Sequence, residues 1–311
     1  MLHQFTHSKI WVTWGRVGLI GLGLLLGLLA GAGAILGVAA LSDAPALFLL
    51  SGLVAFALIA TGSAALATRR LAASRRRRWR LSVWSVEAAL AILVAIALLV
   101  PLHDPVVPAA AVPGQRFWDL PTGSRIAYVK IPAVGVPKPT PIIFVHGGPG
   151  VPMMAEDARF FGRLSQYGYD VYLYDQTGAG LSPRLDDPTQ YTIARHVADL
   201  EAIRQRIGAE RVILIGHSWG GTIAATYLAE HAEHVEKVVF SAPGAIDWAE
   251  METSGSGMLG RLSAQQRWQV IEDMLSLRGF LAYELVQVNP RAAHAFAGDR
   301  EMDAHFDRMF A

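Results

Sequence analysis

The chain has 311 residues, 52% hydrophobic and only 17% charged, with a mean hydropathy of +0.33 and a formal charge of +1. Soluble domains carry about 25% charged residues, and here the imbalance sits at one end: residues 1–114 hold nine Lys or Arg against three acids, whereas 115–311 hold 18 basic and 23 acidic residues. This excludes a simple soluble enzyme, a disordered chain and an evenly basic nucleic-acid binder, and the absence of Cys excludes a disulfide scaffold, a thiolate metal site and a Cys nucleophile.

Uncharged runs cover Val17–Ser42, Ala44–Thr68 and Ala88–His103, the last extended back to Leu81 across Glu87. A bilayer core needs about 20 apolar helical residues. Three transmembrane helices are therefore expected near 17–41, 46–67 and 82–102, within a membrane domain at 1–103. Glu87 is expected near the headgroups, with Trp79 and Trp84 as interface anchors. The first run is far longer than the 7–15 apolar residues of a cleaved signal peptide, for roughly which length such segments are known. Gly23, Gly27 and Gly31, like Gly33 and Gly37, recur at the small-xxx-small spacing that lets helices approach.

Arg69, Arg70, Arg75–Arg78 and Arg80 lie between the second and third spans. Short basic loops stay cytoplasmic. The third helix then runs outward, and everything after Leu102 is expected to be extracytoplasmic. A nucleic-acid role for the Arg run is disfavoured, because a juxtamembrane position fits topology and anionic lipid. Pro101, Pro105, Pro108 and Pro113 mark a stiff linker at 104–114.

Beyond it, strands are expected at Arg125–Ile131, Pro141–Val145, Asp170–Tyr174, Arg211–Ile215 and Val235–Phe240. A helix over Ile193–Ile207 follows from apolar residues at 193, 197, 200, 203 and 207, with Thr192 as N-cap. A second follows Ser218 to about His231. Strands alternating with helices predict an α/β fold with a mostly parallel sheet over 115–245.

Gly216-His217-Ser218-Trp219-Gly220 is a G-x-S-x-G between a strand and a helix. Such a turn lifts a Ser hydroxyl toward a substrate carbonyl, and the next backbone N–H, here of Trp219, points at a developing oxyanion. His146-Gly147-Gly148-Pro149-Gly150, also after a strand, supplies a second flexible loop whose N–H groups face the same charge. Taken alone it reads equally well as a Gly/Pro turn.

With Asp175-Gln176-Thr177-Gly178-Ala179-Gly180-Leu181-Ser182 added, the three motifs together resemble the α/β-hydrolase superfamily, and within it the proline iminopeptidase-like branch. The resemblance covers 115–245 well and 246–311 loosely. It implies Ser218 as nucleophile, and an oxyanion hole from Trp219 and Gly148 (or Gly147). It implies Asp175 and Gln176 in a loop that shapes the floor of the site, and His146 and His217 in structural roles. Neither a metal nor an organic cofactor is implied. The expected partners are a peptide or small ester substrate and the lipid bilayer, with no nucleic acid.

The family's acid and base follow a helical cap, on turns after late strands. Here 93 residues follow Ser218, and the last expected strand is Val235–Phe240. Helices are expected over Ser263–Leu277 and Ala292–Phe310, so 246–311 reads as the start of a cap. Formal acids are Asp247, Asp273, Asp299, Asp303 and Asp307, and formal bases are His294 and His305. The four-residue repeat of the last three acids reads as a solvated helix face carrying His305 at the surface. Glu272 and Glu284 are the nearest candidates for holding a substrate amine. The triad acid and base thus stay unassigned, and the sequence reads as an incomplete hydrolase. The rival reading is a non-catalytic, hydrolase-like binding protein.

Overall fold

The computed structural model describes residues 2–103, 111–246 and 276–310, with side chains described from Trp14 onward and as far as His305. The chain divides into two compact units, Met1–Val107 with Ser263–Ala311, and Pro108–Leu262.

In the first unit, α1 (Leu2–Ala39), α2 (Pro45–Thr68) and α3 (Ala73–Leu99) include three stretches long and apolar enough to cross a membrane: Trp14–Ala39, Pro45–Thr68 and Ala73–Leu99. Pro45 opens α2 because a first-turn residue needs no intrahelical N–H bond. The glycine spacing is used on one stripe. A Cβ on Gly23 would lie 2.2 Å from the Ser63 side chain, and one on Gly31 would lie 3.0 Å from the Gly52 carbonyl, so α1 and α2 meet there backbone to backbone. Gly33 and Gly37 face no atom within 4 Å.

Two expectations change here. The third helix begins at Ala73, not near 82, so Arg75–Arg78 and Arg80 are helical rather than in the loop. Arg is a good helix former, and Arg76 donates to the Arg69 and Leu71 carbonyls at the frayed end of α2. Glu87 therefore lies midway along α3 and not at its end. It is buried, and one carboxylate oxygen accepts a hydrogen bond from Thr61 of α2 at 3.0 Å.

Three further helices belong to this unit: α7 (Leu277–Val288), α8 (Pro290–Phe296) and α9 (Asp299–Phe310). Most of the expected helix over Ser263–Leu277 lies outside the described residues. The expected helix over Ala292–Phe310 is two helices, broken at Ala297-Gly298. Asn289 caps α8 by accepting from the Arg291 and Ala292 N–H groups, and Pro290 fills its first turn. Leu281, Ala282, Leu285, Ala292, Ala293 and Phe296 pack with Ala39, Phe48 and Leu98. His305, expected at the surface, is buried, because a Cβ on Gly279 would come within 2.7 Å of its ring: α9 lies directly on α7.

The second unit is a six-stranded sheet in the order β1-β2-β4-β3-β5-β6. Its strands are β1 (Arg116–Asp119), β2 (Arg125–Ile131), β3 (Ile142–Val145), β4 (Val171–Tyr174), β5 (Val212–His217) and β6 (Val235–Ser241). β1–β2 and β2–β4 pair antiparallel, and β4–β3, β3–β5 and β5–β6 pair in parallel. Successive strand side chains point to opposite faces. Ile143, Val145, Tyr172 and Leu214 therefore pack with Leu200 and Ile203 of α5 (Ile193–Ile207) and Ile223 and Tyr227 of α6 (Trp219–Glu230). Ile142, Phe144, Ile213 and Ile215 pack on the other face with Phe161 of α4 (Ala155–Phe161) and Leu164. Each fully buried aliphatic side chain of these clusters contributes about 1.5–3 kcal/mol relative to exposure. Thr192 caps α5 as expected, accepting from the Arg195 N–H at 3.1 Å.

Candidate active site

β5 ends at His217 and α6 begins at Trp219, so Ser218 alone carries the reversal, at φ 50° and ψ −120°. A positive φ at a residue with a side chain costs of order 1–3 kcal/mol and persists only where its surroundings enforce it. They do so here by three backbone bonds. Ser218 N–H donates to the Ser241 carbonyl at 3.1 Å, and the Ser218 carbonyl accepts from Gly221 at 2.8 Å and Gly244 at 2.7 Å. Thr222 Oγ1 ties the same loop down through the Ala245 carbonyl at 2.7 Å.

The flanking glycines are required by contact. A Cβ on Gly220 would lie 2.0 Å from the Val145 carbonyl oxygen, and one on Gly216 would lie 2.6 Å from the Gly220 oxygen. No side chain fits at either, and the start of α6 therefore runs against the end of β3. This brings the His146–Gly150 loop to the serine. A Cβ on Gly147 would lie 3.1 Å from Ser218 Cβ. Gly148 follows at φ +125° and is exposed, while Ser218 is half-buried. Trp219 heads α6, where backbone N–H groups lack helical partners and the helix dipole is positive.

His146 is buried and both ring nitrogens are committed. Nε2 accepts from the Gln176 N–H at 2.9 Å, which leaves the proton on Nδ1, 2.8 Å from the Gly147 carbonyl. Burial drives its pKa down to about 4, against the raising effect of the Gly147 carbonyl. The ring is a neutral pin between two loops. Gln176 completes the pin by donating from Nε2 to the His146 carbonyl at 2.8 Å.

Asp175 is buried too. Its carboxylate accepts from Met153 N–H at 2.7 Å, Leu181 N–H at 3.0 Å and Gln115 Nε2 at 2.8 Å. Burial nevertheless holds its pKa above the usual carboxylate value, with those three bonds pulling down. Gly180 packs so closely on the carboxylate that a Cβ there would lie 2.5 Å from it. Asp175 thus fastens three segments beneath the site. His217 is exposed, with Nδ1 3.1 Å from the Ser241 carbonyl.

Sequence reasoning missed the buried node behind this loop. Asp199 of α5 accepts from Thr122 at 2.5 Å, Ser124 at 2.8 Å and Thr177 at 2.6 Å, and its neighbour His196 stacks edge-on to Trp219. A polar residue on the buried side of an amphipathic helix was the available signal.

Among the described residues, no side chain is hydrogen-bonded to the Ser218 hydroxyl. Asp247, Asp273 and Glu272 lie outside the described residues. Asp299, Asp303, Glu284, His294 and His305 belong to the unit of the long apolar helices, where His294 Nδ1 lies 3.0 Å from Asp299. Asp307 is on α9 of that unit. An apolar groove of about 650 Å³ lies on the α4 side of the sheet, lined by Ile142, Phe161, Leu164, Ile213, Ile215 and Val239. It includes none of the motif residues.

Residues 140–267 match the family model of the alpha/beta hydrolase fold. Together with the sheet order, this match gives that part of the chain the α/β-hydrolase fold. Within that class its likeness is to the proline iminopeptidase-like branch. The chain is 36% identical over 137 residues to the proline iminopeptidase of Heyndrickxia coagulans, covering 42% of this chain and 43% of the relative. It is 38% identical over 120 residues to a putative proline iminopeptidase of Mycoplasma pneumoniae, covering 38% of each. The chain thus spans about two fifths of the length of the curated relatives it matches.

Proposed function

We propose that this chain carries a membrane-anchored serine hydrolase, an aminopeptidase that releases an N-terminal proline from peptides, with small-ester hydrolysis as the second reading. The observation that carries the proposal is the conformation of Ser218, held at positive φ between β5 and α6 with Gly147 against its Cβ. Ser218 Oγ attacks the carbonyl carbon, and its proton passes to a base that stays unassigned. The tetrahedral oxygen is met by the N–H groups of Trp219 and Gly148 (or Gly147), donors set in place before reaction. Collapse expels the amine or alcohol and leaves an acyl-enzyme, which water cleaves. His146 and Gln176 hold the oxyanion loop, and Asp175 holds the floor.

Three helices of sufficient length and apolarity support the membrane placement. The Arg run supports an orientation with the hydrolase unit outside the cytoplasm. A fluorophosphonate probe tests the chemistry. The folded 311-residue chain is expected to label, and labelling is expected to vanish in Ser218→Ala. Absence of labelling of the folded protein overturns serine-hydrolase activity for this 311-residue form. Release of proline from a dipeptide amide, measured against ester turnover, separates the two substrate classes.

A further inference from the structure

The helix α7 has two faces. One is fixed to the spans. Arg278, buried, donates to the Leu98 carbonyl at 2.5 Å and the Phe296 carbonyl at 2.7 Å, and pairs with Glu301 at 2.5 Å. Glu301 in turn accepts from the Leu102 N–H at 2.8 Å. Asn289, just past the end of α7, donates to the Ala39 carbonyl at 2.9 Å and to Asp43 at 2.8 Å. Together with the packing of Leu281, Ala282 and Leu285 on Ala39, Phe48 and Leu98, these contacts seat α7 beside the last turns of α1 and α3 and the first turn of α2.

The other face is exposed and mostly apolar, with Gln287 its one exposed polar side chain. Leu277, Phe280, Tyr283, Val286 and Val288 are 39–54% exposed, and Glu284 is the one charge in α7 besides the buried Arg278. This face continues the exposed apolar surface of the spans at the same end, where Leu47, Leu50, Ile96, Leu99 and Val100 are each at least 50% exposed. A water-facing helix at that level leaves a contiguous apolar patch uncovered. At 12 residues, α7 is too short to cross a bilayer, where about 20 are needed.

We propose that α7 is an interfacial membrane helix, lying in the leaflet opposite the Arg run with Phe280 and Tyr283 in lipid. Its occupant is phospholipid at the boundary of headgroup and acyl chain, the level at which Tyr is enriched. The 108–262 unit is then joined to the membrane unit at both of its ends. This inference rests on the reading of α1–α3 as spans.

The chain contains no Cys, so single-cysteine variants carry one spin label each. Phe280→Cys, Tyr283→Cys, Leu58→Cys on the mid-span surface and Val136→Cys in the β2–β3 connection are reconstituted as the full chain in phosphatidylcholine–phosphatidylglycerol nanodiscs. Collision with oxygen, which partitions into lipid, is compared with collision with a water-soluble nickel chelate. Labels at 280 and 283 are expected to favour oxygen, as at 58, though at shallower depth, while 136 favours nickel. If 58 reads as lipid but 280 and 283 read as water, or as closed to both reagents beneath protein such as a second copy, the proposal is overturned and the spans stand. If 58 also reads as water, the membrane reading itself fails.

Discussion

At the scale of single residues, the site rests on groups whose charge state is set by burial. The histidine of the His146-Gly147-Gly148 motif is the clearest case. Its folded pKa of about 4 lies below the ordinary 6.5. Between those values the unfolded chain binds a proton that the folded chain does not, so acid favours unfolding. The stability contributed by the neutral ring is intact above about pH 6.5 and falls as pH drops toward 4, by at most about 1.4 kcal/mol per pH unit for one proton. His196, shifted down by burial, adds slope of the same sign. Asp175, shifted up, works with the opposite sign in the carboxylate range. His146→Gln is therefore expected to lower stability at pH 7 while flattening its decline between pH 6.5 and 4, as read by denaturant unfolding across pH. An unchanged slope would mean that the ring titrates normally. The three motifs and their residues were legible from sequence because the chemistry demands glycine where backbones touch, as at Gly220 against Val145. Asp199 showed only as a polar residue on the buried side of α5, and its role was not legible, because its partners Thr122, Ser124 and Thr177 come from distant loops and leave no local spacing.

At the scale of elements, β2 and α5 were legible to the residue, since each carries its own apolar period and a clear boundary. The short strand β1 was not: only Trp118 of its four residues is buried, and it exists through pairing with β2. The break between α8 and α9 was hidden for a related reason. Gly298 permits it, but the turn is held by Arg278, which reaches the Phe296 carbonyl from another helix. That arginine gives a direct test. A lysine in its place offers a point charge on a flexible stem and cannot serve Leu98, Phe296 and Glu301 together. Removing one partner of a buried ion pair costs about 3–5 kcal/mol. Arg278→Ala is expected to release the 276–310 segment, seen as faster backbone hydrogen exchange and earlier proteolysis there, with Arg278→Lys intermediate. Protection equal to the parent in both variants would show that apolar packing alone holds these helices.

At the scale of the whole molecule, two independent features bear on sidedness. The first is charge: the Arg run, spread over the α2–α3 junction and the first turns of α3, is expected to stay cytoplasmic by the positive-inside rule. The second is packing. α7–α9 sit on Ala39, Phe48 and Leu98, at the end of the helices away from Arg69–Arg80. A 24-residue helix such as α2 is about 36 Å long at 1.5 Å per residue, more than the roughly 30 Å of hydrocarbon it would cross. On the proposed reading of α1–α3 as spans, the Arg run and the C-terminal helices are therefore expected on opposite sides of the bilayer, whichever way the protein is inserted. Alkaline phosphatase fused after Ala311 is expected to be active and a fluorescent-protein fusion there dark, while a tag placed between Leu71 and Ala72 is expected to be reached only from the cytoplasm. Neutralising Arg75–Arg78 weakens the orientation signal and is expected to yield a mixed population in which both tags still report opposite sides. Tags reporting the same side would refute the packing argument, and opposite sides with an inverted sense would refute only the charge argument.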